Sequence, residues 1–339
     1  MRSQRLALLL TVMTASGCHR QLAPERCDSL ATPGTTTSCA LAGWSDRAYD
    51  IHLPPGWSPD SPVPVVLVFH GGGGSRESAA SLTCSSEPAD GSGCLDALAD
   101  REGFAVVYPD GTSARTGRRL RTWNAGGGSG EWQCVSGRAC GEGVDDVAFV
   151  VALLDDLERW MRPDPKRIFA TGLSNGAAMS HRLACELSAR IAAIAPVAGG
   201  NQLAEAQGCL PERPVPVLQI HGTADPCWSF EGGPAACLQD DGKSKASIPA
   251  TVADWAQRNG CGPSPTVEHL PDLADDGTRV QRESYPGCRA DVVLLRIVGG
   301  GHTWPDGKPY FSSDRVGVVC RDVNGNEAIW QFFASHPMQ

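Results

Sequence analysis

Gly172-Leu173-Ser174-Asn175-Gly176 has the Gly-x-Ser-x-Gly spacing in which a serine can stand exposed as a nucleophile. The pattern is weak by itself, because with 39 glycines in the chain a chance match is expected on the order of a few tenths of a time. Its surroundings give it weight: a β-branched run, Arg167 to Thr171, leads into it, and apolar residues at helical spacing (Ala177, Met179, Leu183, Leu187) follow. A sharp strand-to-helix turn there lifts the hydroxyl above a sheet. The competing reading is an ordinary glycine-rich turn with a surface serine. A serine hydroxyl is a poor nucleophile at neutral pH and needs a base, and the base needs a group that fixes its tautomer. His302 follows Gly299-Gly300-Gly301 at the end of a buried-strand pattern, Val292 to Val298, and is the best base. His19, His52, His269 and His336 have no such setting, and His181 falls on a helix. Asp225 closes His221-Gly222-Thr223-Ala224-Asp225 between the serine and the base, where a carboxylate could orient the imidazole, although Asp225-Pro226 also suits a turn. Asp145 and Asp146 precede Ser174 and open a helix, whose N-terminal dipole accounts for them.

A second feature belongs with these. His70-Gly71-Gly72-Gly73-Gly74 ends an apolar run, Val63 to Phe69, and glycines at such a place let backbone N–H groups approach a developing oxyanion. One donor is expected to be the N–H of Asn175, the other that of Gly72 or Gly73. The same glycines do not make a phosphate loop, since neither a Gly-Lys-Ser/Thr ending nor a Rossmann fingerprint is present. Nucleophile, base, acid and oxyanion donors together spell acyl transfer at an ester carbonyl, a reaction that requires no metal and no organic cofactor.

Positioning such groups requires strands that end at one rim. Short apolar runs at 63–69, 104–108, 167–171, 191–197 and 215–220 alternate with helical spacing at 95–101, 145–161 and 177–187, which predicts an α/β fold with a mostly parallel central sheet and helices on both faces. A helix over 249–259, strands near Val267, Val280 and 292–298, and a helix over 326–333 follow. The glycine-rich excursion from Thr112 to Gly143 is long for a plain loop, and Cys134 with Cys140 could brace it. No internal repeat or linker divides residues 44–339, which read as a single catalytic domain beginning near Trp44. Residues 18–43, rich in Thr, Pro and Ser, read as a tether or an N-terminal arm fastened by one disulfide.

The first 17 residues have the form of an export signal: Arg2 and Arg5, an apolar run from Leu6 to Val12, then small residues before Cys18. Ala15-Ser16-Gly17-Cys18 also has the form of a lipoprotein box, so a membrane tether through a lipidated Cys18 competes with plain secretion. Fourteen cysteines suit an oxidising compartment. The spacing favours Cys27 with Cys39, Cys84 with Cys94, Cys134 with Cys140, Cys227 with Cys237 and Cys261 with Cys288; Cys185 with Cys209 is less secure, and Cys320 is left over. No C-x-x-C pair suggests zinc. A net charge of -9 leaves no footprint for nucleic acid, and the basic run Arg115 to Arg121 reads as a solvated loop. Oligomeric state has no signature in the sequence.

Phe69-His70-Gly71-Gly72-Gly73, Tyr108-Pro109-Asp110-Gly111, Trp123-Asn124-Ala125-Gly126, Val144-Asp145-Asp146-Val147, Thr171 to Gly176, Arg182 to Glu186, Ala195 to Gly199, His221 to Pro226 and Gly300-Gly301-His302-Thr303-Trp304-Pro305 occur in this order. In them the chain resembles the secreted esterases that group polyhydroxybutyrate depolymerases with feruloyl and acetyl xylan esterases. The resemblance implies the α/β-hydrolase fold, a triad at Ser174, Asp225 and His302, and substrate contacts from Trp304, Trp123 and His70. It departs at Cys134 to Cys140 and Cys227 to Cys237. It implies an ester substrate, an aromatic or short acyl group on plant-wall carbohydrate, with hydroxyalkanoate oligomers as the alternative. A lipid-tethered binding protein without turnover is the reading of another class, disfavoured because such a protein has no need of all these parts.

Overall fold

The computed structural model describes residues 27, 31–85, 91–113, 120–129, 134, 137–234 and 244–339. Strands β1 (Thr35–Ala40), β2 (Ala48–Leu53), β3 (Val63–Phe69), β4 (Ala105–Pro109), β5 (Thr112–Ser113), β6 (Arg121–Thr122), β7 (Pro163–Leu173), β8 (Ala193–Val197), β9 (Val217–Gly222), β10 (Thr266–His269), β11 (Arg279–Ser284) and β12 (Val292–Val298) are interleaved with nine described helices. These are α1 (Arg76–Leu82), α2 (Leu95–Glu102), α3 (Gly137–Gly141), α4 (Asp146–Trp160), α5 (Asn175–Glu186), α6 (Gln202–Gln207), α7 (Ile248–Arg258), α8 (Ser313–Val316) and α9 (Gly325–Ser335).

Ten strands form one sheet in the order β1-β2-β4-β3-β7-β8-β9-β12-β11-β10. The six from β4 to β12 in that order run parallel, and the outer four pair antiparallel. This is the α/β-hydrolase architecture. Side chains of β3 alternate between two cores, as the two-residue period of a strand requires: Val65, Leu67 and Phe69 face one, Val66 and Val68 the other. The first core is closed by Phe149, Leu153 and Leu157 of α4, Met179 and Leu183 of α5 and Trp255 of α7. Leu95 and Leu98 of α2 with Ile329, Trp330 and Phe333 of α9 close the second. A strand covered on both faces is apolar at every position, which is why Val63 to Phe69 is readable from composition alone.

The sheet extends N-terminal to the expected domain start at Trp44. Residues 35–40, read as tether or arm, form β1 at the sheet edge, paired with β2 from Thr35 opposite Leu53 to Ala40 opposite Ala48. Its outward face is exposed, so its composition is that of a linker. The disulfides Cys27–Cys39, Cys84–Cys94, Cys134–Cys140, Cys185–Cys209 and Cys261–Cys288 are formed, and Cys320 is a buried free thiol. Cys227 is also oxidised, while Cys237, its expected partner, and Cys18 lie outside the described residues, as does the predicted export signal.

Candidate active site

Strand β7 ends at Leu173, and Ser174 turns the chain into α5 with φ 61° and ψ -117°. A side chain at this φ costs about 1 to 3 kcal/mol unless its surroundings hold it there. Two contacts do so. The Ser174 N–H donates to Val197 O at 2.9 Å, and the end of β3 lies directly on the turn. A Cβ at Gly176 would sit 2.1 Å from Phe69 O, and one at Gly172 2.4 Å from the same atom, so both glycines of the motif are demanded by close backbone approach. The serine hydroxyl does not cap α5 and makes no hydrogen bond among the described residues.

His302 and Asp225 lie at the same rim, just beyond β12 and β9. Their loops are held together by Ala224 N donating to Gly300 O at 3.0 Å, and His302 N donates to Val316 O at 2.6 Å. His302 Nδ1 meets Asp225 Oδ2 at 2.7 Å with both side chains buried. Asp225 Oδ1 accepts from the N–H groups of Cys227 at 2.7 Å and Trp228 at 2.8 Å. A second imidazole, His221 Nε2, lies 3.2 Å from Asp225 Oδ2 and 2.8 Å from Trp228 O. A nitrogen against a carbonyl must carry the proton, so His221 donates to both oxygens. Burial alone would raise the Asp225 carboxyl, but His302 and His221, by charge and hydrogen bond, outweigh it and hold the group far below the usual carboxylate range. Sequence alone carries no signal for His221, because its approach to Asp225 depends on the turn between them.

Asp225, Cys227 and His302 bring their donor atoms within 4.8 Å of one another. The group does not suit a metal: the Cys227 sulfur is committed to a disulfide, and both oxygens of Asp225 already accept protein donors.

The expected oxyanion donors lie at the end of β3 and the start of α5. A Cβ on Gly71 would lie 3.5 Å from the Ser174 Cβ, so the glycine loop flanks Ser174. Of the two glycines expected to donate, Gly73 is excluded, because its N–H donates to Arg121 O at 2.7 Å. Gly72 is exposed and its N–H makes no bond among the described residues. Arg121 N returns a bond to Gly74 O, and Asp110, accepting from the Arg76 N–H at 3.0 Å and Arg76 Nη1 at 2.6 Å, anchors the helix that follows the loop.

The three expected substrate contacts lie beneath the surface. Trp123 is 0% exposed, with its indole against Phe69, His70 and Phe149. Trp304 is 2% exposed and donates through Nε1 to Asn326 Oδ1 at 3.0 Å. His70 is buried, with Nδ1 at 2.8 Å from Gly71 O and Nε2 accepting from Gly111 N at 2.9 Å. All three side chains are buried and committed to protein partners. Asp146 is likewise more than a helix-dipole residue: it is buried against Arg47 at 2.7 Å and accepts from Asn124 N at 2.6 Å, and its burial raises its carboxyl. A pair that sequence reading missed, Tyr310 and Phe311, is 41% and 42% exposed, with rings 5.3 Å apart edge to face. Tyr310 donates its hydroxyl to His302 O at 3.2 Å.

His70 and His181 are both pushed down by burial to about 4. His181 accepts from Trp255 Nε1 at 3.0 Å and lies 3.0 Å from Gln219 Oε1. Unfolding frees each ring to bind a proton near its ordinary 6.5, so the unfolded state takes up more protons below that pH and stability declines as pH falls from 6.5 to 4. Between pH 7 and 5 each ring should cost about 2 kcal/mol. Urea unfolding of His181→Gln should therefore show a pH 7-to-5 loss smaller than wild type's by about that amount. Equal losses in the two proteins would remove His181 from the account.

A model of the family "Esterase PHB depolymerase" matches residues 47–239. The chain is 33% identical over 305 residues to "Putative esterase NocK" of Nocardia uniformis subsp. tsuyamanensis, covering 87% of this chain and 81% of that protein. It is 28% identical over 268 residues to feruloyl esterase B of Piromyces equi, covering 77% of this chain but 44% of that longer protein. Among solved structures, an acetyl xylan esterase from Aspergillus awamori superposes with a TM-score of 0.53 at 14% identity, over 89% of this chain and 99% of that one, a likeness of fold.

Proposed function

The chain belongs to the PHB depolymerase family of esterases, a carboxylic ester hydrolase, and we propose that Ser174, His302 and Asp225 are its catalytic triad. The observation that carries this is the buried His302–Asp225 hydrogen bond at the strand ends that also present the positive-φ Ser174. With an ester bound, Ser174 Oγ attacks the carbonyl carbon as its proton passes to His302 Nε2. The N–H groups of Asn175 and Gly72 hold the oxyanion. The imidazolium then protonates the leaving alkoxide, and water, deprotonated by the same nitrogen, releases the acid and restores the serine. Catalytic hydrogen bonds commonly close only in the substrate complex, which accords with the unbonded hydroxyl of Ser174.

We further propose an aromatic or short acyl ester of plant-wall carbohydrate as substrate. Tyr310 and Phe311 favour an aromatic acyl group, because this exposed edge-to-face pair, joined to His302 O through the Tyr310 hydroxyl, supplies apolar surface for a planar ring. Export by removal of residues 1–17, with or without lipid at Cys18, accords with the disulfides. No described helix is long and apolar enough to cross a membrane. Residues 44–339 are proposed to form a single catalytic domain, to which β1 adds an edge strand. A panel of methyl ferulate, acetylated xylan and hydroxybutyrate oligomers tests the choice. Methyl ferulate should give the highest kcat/KM, and Phe311→Ala should lower that value about 10-fold while leaving p-nitrophenyl acetate within about 2-fold, the scale of one aromatic contact. Preference for hydroxybutyrate oligomers would overturn the substrate reading and leave the triad standing.

A further inference from the structure

We propose that Trp123 is a positioning residue that sets the separation of the two oxyanion donors; the inference rests on the triad and donors proposed above. Trp123 is bonded to both segments that bear those donors. On one side its peptide N–H donates to Asn175 Oδ1 at 2.7 Å, and its carbonyl accepts from Asn175 Nδ2 at 3.1 Å. That two-point clamp fixes the residue whose backbone N–H is the first donor. On the other side its indole Nε1 donates to His70 O at 3.0 Å, two residues before Gly72, the second donor.

The bridge is rigid at each end. The Trp123 ring packs edge-on to Phe69 at 5.0 Å and lies 4.9 Å from the His70 ring, with the Arg47 guanidinium 5.3 Å away. His70 is pinned from its far side by Gly111. The following residue, Asn124, is fixed to α4 through Asp146 at 2.6 Å and to α5 through Arg182 Nη1, which donates to Asn124 O at 2.6 Å. Every polar bond of Trp123 named here is buried, so none can be replaced by water at small cost. Oxyanion donors work only when held 2.7 to 3.1 Å from the atom that becomes charged, and misplacement by about 1 Å can cost roughly 100-fold. A residue that ties one donor segment to the other thus acts on the transition state without touching substrate.

The test is Trp123→Phe, which keeps an aromatic ring and removes the indole N–H, assayed with p-nitrophenyl acetate. The expected result is kcat lower by about 10- to 100-fold, KM within about 3-fold, and a weakening of a trifluoromethyl ketone, which mimics the tetrahedral oxyanion, by the same factor as kcat/KM. Should Trp123→Phe fail to fold, incorporation of β-(3-benzothienyl)alanine, the isosteric ring without the N–H, should give the same signature in a folded protein. Wild-type kcat in either folded variant, or KM rising with kcat preserved, would overturn the assignment. The underlying reading is tested separately by phosphonate labelling of Ser174 in the wild type, which can fail or succeed whatever Trp123 does.

Discussion

Ser174→Ala should abolish turnover while leaving the protein folded. For p-nitrophenyl acetate kcat/KM is expected to fall by about 10⁴- to 10⁶-fold, leaving the small rate that binding and the oxyanion donors give without a nucleophile. The substitution is structurally mild: the hydroxyl neither caps α5 nor bonds any described residue, and alanine bears the same positive φ that serine does. Thermal midpoint and circular dichroism should therefore match wild type. Since nucleophile and base act as a unit, adding His302→Ala to this variant should cost little more, although His302→Ala alone should cost nearly as much as losing the serine. A single variant retaining a tenth of wild-type activity would remove that residue from the chemistry.

Asp225→Asn should be the next most damaging change, about 10³- to 10⁴-fold in kcat at neutral pH. Asp225 receives four donors, two backbone N–H groups on Oδ1 and the nitrogens of His302 and His221 on Oδ2. Two carboxylate oxygens accept all four. An amide can keep the Oδ1 bonds, but it presents N–H groups where the imidazoles present theirs. His302 then relieves the clash by carrying its proton on Nε2, where it can no longer take one from the serine. Because Asp225 is held far below the usual carboxylate range, it stays charged through the mildly acidic range, and acid loss of activity above pH 4 should not report its titration. Steady-state kinetics from pH 5 to 9 checks both points. Loss smaller than about 10-fold would assign the orienting role elsewhere.

The parts of the fold that sequence makes readable are those whose surroundings are uniform. β3 is covered on both faces and reads as unbroken apolar residues, and the apolar spacing of α4 includes Val150, Leu154 and Leu157, all buried, behind the capping Asp145, although it passes over Phe149 and Leu153. The elbow at Ser174 is readable because its glycines are imposed by backbone contact, a demand no other residue type meets. What sequence hides depends on neighbours distant in the chain. β1 is a polar edge strand, and only its pairing with β2 separates it from a tether. The resemblance implies a substrate contact for Trp123, but its partners Asn175 and His70, 52 and 53 residues away, bury it. Gly72 and Gly73 are equivalent by type, and the distinction between them comes from Arg121 reaching across to one. Asp146 passes for a helix-dipole residue until Arg47 is seen against it.

Labelling by a fluorophosphonate probe addresses the serine, the base and the oxyanion donors at once, since phosphonylation requires an activated hydroxyl beside an oxyanion site. The expected result is one equivalent bound per chain, located by peptide mapping to Ser174, with none in Ser174→Ala. Stoichiometric label on another residue, or label that persists in that variant, would contradict the assignment of the nucleophile and every role derived from it.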